Sequence, residues 1–399
     1  MSTRDTNDAL DLMTRFAERT GIGADREERR YLWTDAFAVC NFLGLARAYG
    51  EERYTRLALL MVDRVHHVLG RHRADDPRSG WISGASEPEG EAHPTRGGLR
   101  IGKPHPERGP AEPFDESREW DRDGQYFHYL TKWMHALDQV TRATGDPVFN
   151  LWARELAASA YDAFTYVDPG SRRRRMFWKM SIDRSRPLVA SMGHHDPLDG
   201  YVTYVQLQTT ASRLRQSADG PNLADAAAAF AAMIADTELA TGDPLGIGGL
   251  LGDAGRVEQL MREGASFAGD RLLERLLAAA LQGLQHWVRQ GELDAPATRR
   301  LAFRELGVAI GLDVVERMSG EAATTARGAP HDALLAALGH FVPVRDELVA
   351  FWRDPARHEA RTWAGHRDIN EVMLATALAP EGFLVLPTPP HATTATPAS

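Results

Sequence analysis

The sequence predicts an all-α protein assembled from helical hairpins, and three observations carry that prediction. A turn signature recurs at nearly equal intervals: Ala48-Tyr49-Gly50-Glu51, Ala143-Thr144-Gly145-Asp146 and Ala240-Thr241-Gly242-Asp243, 95 and 97 residues apart. Glycine suits the left-handed position that ends a helix, the acid behind it can cap the next one, and Pro147 and Pro244 fit a first turn. Each copy therefore reads as the bend of a hairpin, and the spacing reads as about two hairpins per step in a closed or stacked array. The second observation is apolar periodicity of three and four along most of the chain. The third is the composition, 43% hydrophobic and 25% charged, which is that of an ordinary globular body able to bury a large core.

The first hairpin is expected over 28 to 49 and 51 to 70. Tyr54, Leu57, Ala58, Met61, Val62, Val65 and Val68 mark one buried face of its second helix, whereas Phe37, Val39, Phe42, Leu43 and Leu45 make the first apolar on several sides, the pattern of an inner helix. A second pair follows over 124 to 143 and 147 to 165, its inner helix carrying Tyr126, Phe127, Tyr129 and Trp133. A third covers 199 to 215 and 222 to 240, where alanine dominates 226 to 232. Further helices are expected over 254 to 265, 270 to 290, 298 to 318, 330 to 339, 343 to 353 and 368 to 378.

Two long interruptions stand out, because compact domains rarely carry structureless connections of this length without a use for them. The first is Arg73 to Arg122; the second, Asp168 to Pro197, contains the basic run Arg172 to Arg175 and a strand-like segment over 176 to 182. Residues 387 to 399 form a Pro/Thr/Ala-rich tail that reads as disordered, after a single domain over 1 to 386.

The formal charge of −9 argues against nucleic acid or an anionic membrane as the main partner. Cys40 is the only cysteine, so an internal disulfide and a cysteine zinc site are excluded, and it reads as core. The opening residues lack the apolar core of a signal peptide, and no run approaches the roughly 20 apolar residues of a membrane span, so a cytoplasmic location is expected. No histidine spacing suggests a metal site, Gly246 to Gly252 has the wrong spacing for a dinucleotide loop, and no Walker loop or nucleophile elbow occurs, so neither metal nor cofactor is expected. The oligomeric state is left open.

Repeated hairpins with aromatic inner helices and long loops leading into them make the sequence resemble the α/α-toroid, six-hairpin glycosidase-like superfamily, over about residues 5 to 385. The superfamily includes glycoside hydrolases, unsaturated uronyl hydrolases and N-acylglucosamine 2-epimerase-type isomerases. The resemblance implies an (α/α)6 toroid with a sugar-sized pocket where the inner-helix N-termini converge. No catalytic motif of a member family is intact, so no catalytic residue transfers by name.

Candidate site residues follow from the chemistry gathered at the inner-helix starts. Asp35 follows Trp33, Asp121 and Asp123 follow Trp120, Asp199 follows His194, His195 and Asp196, and Asp368 follows His366. Any such Asp can instead be a helix cap, which needs only the orphan N–H groups of a first turn. The stretch 119 to 129 puts Asp121, Asp123 and His128 beside Trp120 and Tyr126, a mixture able to ionise, hydrogen-bond and stack a sugar. Catalytic candidates are thus Asp121, Asp123, Asp199, His194 and His195, and substrate-binding candidates are Trp33, Asp35, Trp120, Tyr126, His128, Trp178 and His366. Trp81 is a further loop tryptophan that could stack a sugar, Trp133, Trp152, Trp287 and Trp352 read as core, and His66-His67 as structural. The leading expectation is a glycoside hydrolase or uronyl-hydrolase-like enzyme using paired carboxylates on a small sugar or oligosaccharide. The alternatives are a histidine-based sugar epimerase or isomerase and a noncatalytic toroid that binds a glycan or protein.

Overall fold

A computed structural model of the chain describes residues 3–22, 29–214, 219–267, 271–322 and 329–389, except the side chains of 321, 322 and 329. The predicted tail beyond Pro389 lies outside the described residues, as do 28, 215 and 270 at the ends of predicted helices. In chain order the helices are α1 (Thr3–Arg19), α2 (Leu32–Tyr49), α3 (Glu52–Leu69), α4 (Glu87–Ala92), α5 (Glu116–Glu119), α6 (Phe127–Thr144), α7 (Val148–Phe164), α8 (Asp196–Arg213) and α9 (Ala224–Ile234). They continue with α10 (Pro244–Arg262), α11 (Leu272–Arg289), α12 (Ala302–Ala322), α13 (Ala329–Gly339), α14 (Val342–Arg353), α15 (Arg361–Ala364), α16 (Arg367–Leu378) and α17 (Glu381–Leu384).

The packing closes into an (α/α)6 toroid. Helices α2, α6, α8, α10, α12 and α16 each pack on the next, and α16 packs back on α2. Outside them lie α3, α7, α9, α11, the pair α13 and α14, and finally α1, which backs α16 and so joins the start of the chain to its last inner helix. Arg19 seals that junction by pairing with Asp368 at 2.6 Å and Glu371 at 2.7 Å. The apolar character of α2 now has its cause, since thirteen of its residues are buried between two inner neighbours and its outer partner.

The turn signature holds for two of its three copies. Gly50 and Gly145 end α2 and α6 in the left-handed conformation, at φ 67° and 77°, and both turns lead from an inner to an outer helix. The interval between them spans one hairpin and the first interruption, where two hairpins were expected. The third copy is a different turn: α9 has already ended at Ile234, and Asp243 caps the start of the inner helix α10 through Gly246 N–H. The glycines of 246 to 252 accordingly lie within a helix. A Cβ on Gly248 would meet the Gly307 carbonyl oxygen at 2.0 Å, and one on Gly311 would meet Gly248 at 3.0 Å, so these glycines allow α10 and α12 to touch backbone to backbone.

The far end of the ring is closed by α17 and the residues after it. Gln139 Nε2 donates to the carbonyls of Gly382 and Val385 at 2.8 Å, Gln259 Nε2 to Leu384 at 2.9 Å, and Arg142 to Pro387 at 3.2 Å. The two interruptions meet at the opposite end. Strand β1 (Gln125–Tyr126) pairs with β4 (Lys179–Met180), which pairs with β5 (Pro187–Val189), while β2 (Thr165–Val167) and β3 (Arg174–Met176) form a separate hairpin. Arg78 to Asp183 at 2.6 Å and Lys179 to Glu119 at 2.9 Å tie the first interruption to the second. Trp81, a stacking candidate from the sequence, is 2% exposed and packs under Arg71 within the first interruption. Among the described residues, no helix is long and apolar enough to cross a membrane.

Candidate active site

The six inner helices run parallel, so their N-terminal ends open together into one cleft of about 1140 Å³. The positive ends of the helix dipoles face that space. Loops of both interruptions wall it, through Lys103, Pro104, Trp120 and Asp121 from the first and Trp178 and Gly193 to His195 from the second.

An aromatic wall runs from its depth to its rim. Trp33 lies 5.3 Å from Tyr129, Tyr129 5.3 Å from Tyr126, Tyr126 5.1 Å from Trp178, and Trp178 5.4 Å from Trp120. Trp33 is nearly buried, whereas Trp120 is 46% exposed, so the wall grades from core into solvent. The Tyr31 and Tyr129 hydroxyls hydrogen-bond to each other at 2.7 Å. Burial pushes the Tyr126 and Tyr129 hydroxyls up, keeping both neutral.

The charged groups sit below this wall. Asp199 Oδ1 accepts from Lys132 Nζ at 2.7 Å and lies 3.7 Å from Arg256 Nη2, the same nitrogen that donates to Asp253. Arg256 is steadied by Thr203 Oγ1 at 3.1 Å and Gln206 Oε1 at 3.3 Å. Burial would raise the Asp199 carboxyl, but Lys132 and Arg256 outweigh it and hold the group below the usual carboxylate value. Asp253 goes the other way: burial pushes it up, the Asp199 charge adds to that, and Arg256 offsets only part. Two adjacent carboxyls are thereby driven apart in acidity.

A second cluster surrounds His128. Its imidazole stacks on Tyr126 at 5.3 Å, and its Nδ1 lies 3.5 Å from Asp196 Oδ1. His128 Nδ1, Asp196 Oδ2 and Trp33 Nε1 are buried polar atoms with no hydrogen-bond partner among the described residues, and all three residues line the cleft. His194 and His195 lie with their rings 4.5 Å apart. His195 Nε2 is 2.8 Å from the Leu239 carbonyl, an acceptor only, so this nitrogen carries the proton and Nδ1 keeps its lone pair. Burial lowers the His195 pKa and keeps the ring neutral. His366 is exposed at the cleft edge, 5.6 Å from Phe303.

Two sequence candidates lie elsewhere. Asp123 is fully buried and does not line the cleft: its carboxylate accepts from Arg100 at 2.6 Å, Arg73 at 3.3 Å, and the N–H groups of Gly102 and Gly124 at 3.0 Å. Four donors occupy it, so it is a clasp between the first interruption and the start of α6. Asp35, 1% exposed, reaches back from the first turn of α2 to accept from the N–H of Tyr31, the residue before the helix, at 3.0 Å, and pairs with Arg30 at 3.5 Å, so it is held within the start of its own helix. Trp33, Trp120, Asp121, Tyr126, His128, Trp178, His194, His195, Asp199 and His366 all line the cleft. Sequence reasoning missed Lys132, Asp253 and Arg256. Asp253 escaped because the helix was expected to begin at 254; Asp243-Pro244 was the available signal for an earlier start, the same pair that opens α8 as Asp196-Pro197.

Among the described residues, no group of three or more His, Cys, Asp or Glu side chains is arranged to hold a metal ion. No protein-family model and no curated protein sequence matches the chain. Among solved structures, cellobiose 2-epimerase from Spirochaeta thermophila is 12% identical, with 84% of this chain and 85% of that chain covered and a TM-score of 0.44. Cellobiose 2-epimerase from Bacillus thermoamylovorans is 9% identical, covering 86% and 88% at a TM-score of 0.45. An α-mannanase from Bacteroides thetaiotaomicron is 8% identical, covering 88% and 97% at a TM-score of 0.45.

Proposed function

We propose that the chain is a carbohydrate-active hydrolase whose two working carboxyl groups are Asp253 and Asp199. The observation that carries this reading is that both reach one nitrogen of Arg256 at the base of the cleft while their acidities are displaced in opposite directions. Such a separation is how a site keeps one carboxyl protonated beside one ionised. Asp253 gives its proton to the glycosidic oxygen as the bond from that oxygen to the anomeric carbon breaks. Asp199, which shares the Arg256 nitrogen with Asp253 and so leaves no room for a water between them, bonds to that carbon as the oxygen leaves; a water that gives its proton to the now ionised Asp253 then displaces the Asp199 carboxylate and resets both groups. Lys132 and Arg256 hold Asp199 ionised and in place. Trp33, Tyr126, Trp178 and Trp120 offer flat faces to successive sugar rings, with Asp121 at the rim.

One observation favours a second reading, a sugar isomerase: the lone pair on Nδ1 of neutral His195 is suited to removing a proton beside a carbonyl, with His194, His128 or His366 returning it. A single experiment separates the two. A panel of aryl glycosides, disaccharides and reducing sugars is offered to the protein in D2O, and to its Asp253→Asn, Asp199→Asn and His195→Gln variants. The hydrolase reading expects turnover of a glycoside that falls roughly 10²-fold to 10⁴-fold in both Asp variants at unchanged fold. Near-wild-type turnover in both refutes it. Deuterium entering the sugar carbon, lost in His195→Gln, establishes the isomerase instead.

A further inference from the structure

Lys103 is an electrostatic exception. All eight arginines between Arg71 and Arg122 are ion-paired. Lys103, the lone lysine of that stretch, has no carboxylate partner among the described residues, although the chain holds 55 acids. It is half-buried, lines the cleft, and holds its Nζ 5.4 Å from the centre of the Tyr31 ring. Asp121, the acid of the first interruption that lines the same cleft, makes no ion pair with it. A partly desolvated ammonium without a counter-charge is costly, and a neighbouring aromatic face compensates only a fraction of that.

The surroundings are donor-rich. In the Tyr31–Tyr129 pair only one hydroxyl donates, so the other proton is left for a ligand. Among the described residues, Trp33 Nε1 is a buried donor without a partner, and so is Arg304 Nε on the α12 side of the cleft. The positive ends of six inner helices face the same space. The chain carries a net charge of −9 and the cleft is also lined by Asp121, Asp196, Asp199, Asp243, Asp253 and Asp368, so an unpaired cation there acts on an anion at short range only.

We propose that Lys103, Tyr31 and Tyr129 form a subsite for an anionic substituent on the sugar, a carboxylate or a phosphate. This rests on the reading of the cleft as a sugar site and names the charge of what it takes. The test measures calorimetric binding of glucose, glucuronate and glucose 6-phosphate to the full chain, to Lys103→Gln and to Lys103→Arg. One or both anionic sugars should bind about tenfold or more tighter than glucose, as one charge-assisted hydrogen bond provides. The stronger of the two identifies the anion. That preference should shrink with added salt, collapse in Lys103→Gln and persist in Lys103→Arg. Equal binding of charged and neutral sugars, or a preference untouched in Lys103→Gln, overturns the subsite. Binding is read independently of turnover: loss of activity without loss of anion preference in Asp253→Asn concerns the carboxylate mechanism alone, whereas failure of all three sugars to bind removes the sugar reading with the subsite.

Discussion

Asp123→Asn separates a clasp from a catalyst. The substitution keeps the shape of the side chain and removes its charge, leaving the guanidinium groups of Arg100 and Arg73, 2.6 and 3.3 Å away, without their shared anion. Arg100 and Arg73 have only 9% and 13% of their side-chain surface exposed and Asp123 none, so solvent does little to compensate. Breaking a buried pair by removing one partner costs about 3–5 kcal/mol. For a chain of 399 residues the unfolding entropy near the midpoint is about 0.8 kcal/mol/K, so the melting temperature should fall by about 4–6 °C if unfolding is two-state. Calorimetry and urea unfolding measure this, and turnover per folded molecule, measured well below the midpoint on any substrate found, should stay within a few-fold of wild type. An unchanged midpoint with turnover reduced a hundredfold would refute the clasp and return Asp123 to the catalytic centre.

His66 is buried and accepts a hydrogen bond from Trp133 Nε1 at 3.1 Å, and burial lowers its pKa from 6.5 to about 3. The unfolded chain therefore takes up a proton below pH 6.5 that the folded chain refuses, so this contribution to stability is complete above pH 6.5 and is lost as the pH falls towards 3. Between pH 7 and pH 5 the loss is about 2 kcal/mol, and urea unfolding of His66→Gln should show a pH dependence shallower by that amount; parallel curves for variant and wild type would contradict it. Gly248→Ala should destabilise the fold by about 1–3 kcal/mol or more, because the added methyl meets the Gly307 backbone at 2.0 Å and no side chain can move aside. An unshifted denaturation midpoint would mean that α10 and α12 do not touch there.

Most of the helices, the inner rank of α2 and α6 and the two interruptions were legible in the sequence because each is local: burial on several sides leaves apolar residues all round a helix, and a long run without periodicity declares itself; α1 was not among the expected helices. The aromatic side of the cleft was legible for the same reason, since Trp33, Tyr126 and Trp178 flank inner-helix starts or sit in a loop leading to one. Which acids face the cleft was not. Asp35 and Asp199 both lie in the first turn of an inner helix, yet one turns back to the Tyr31 N–H before its own helix and the other turns towards Lys132. Asp123 looked like a site residue until Arg100 and Arg73, 23 and 50 positions earlier, were brought to it. The pairing of Asp199 with Asp253 needed the ring to close α8 against α10 around Arg256, and the solitude of Lys103 was visible only once every neighbouring arginine had found its acid. Spacing along the chain determines which face of a helix is apolar; the partners of a charge come from distant segments, and only the tertiary structure decides whether a carboxylate is a cap, a clasp or a reacting group.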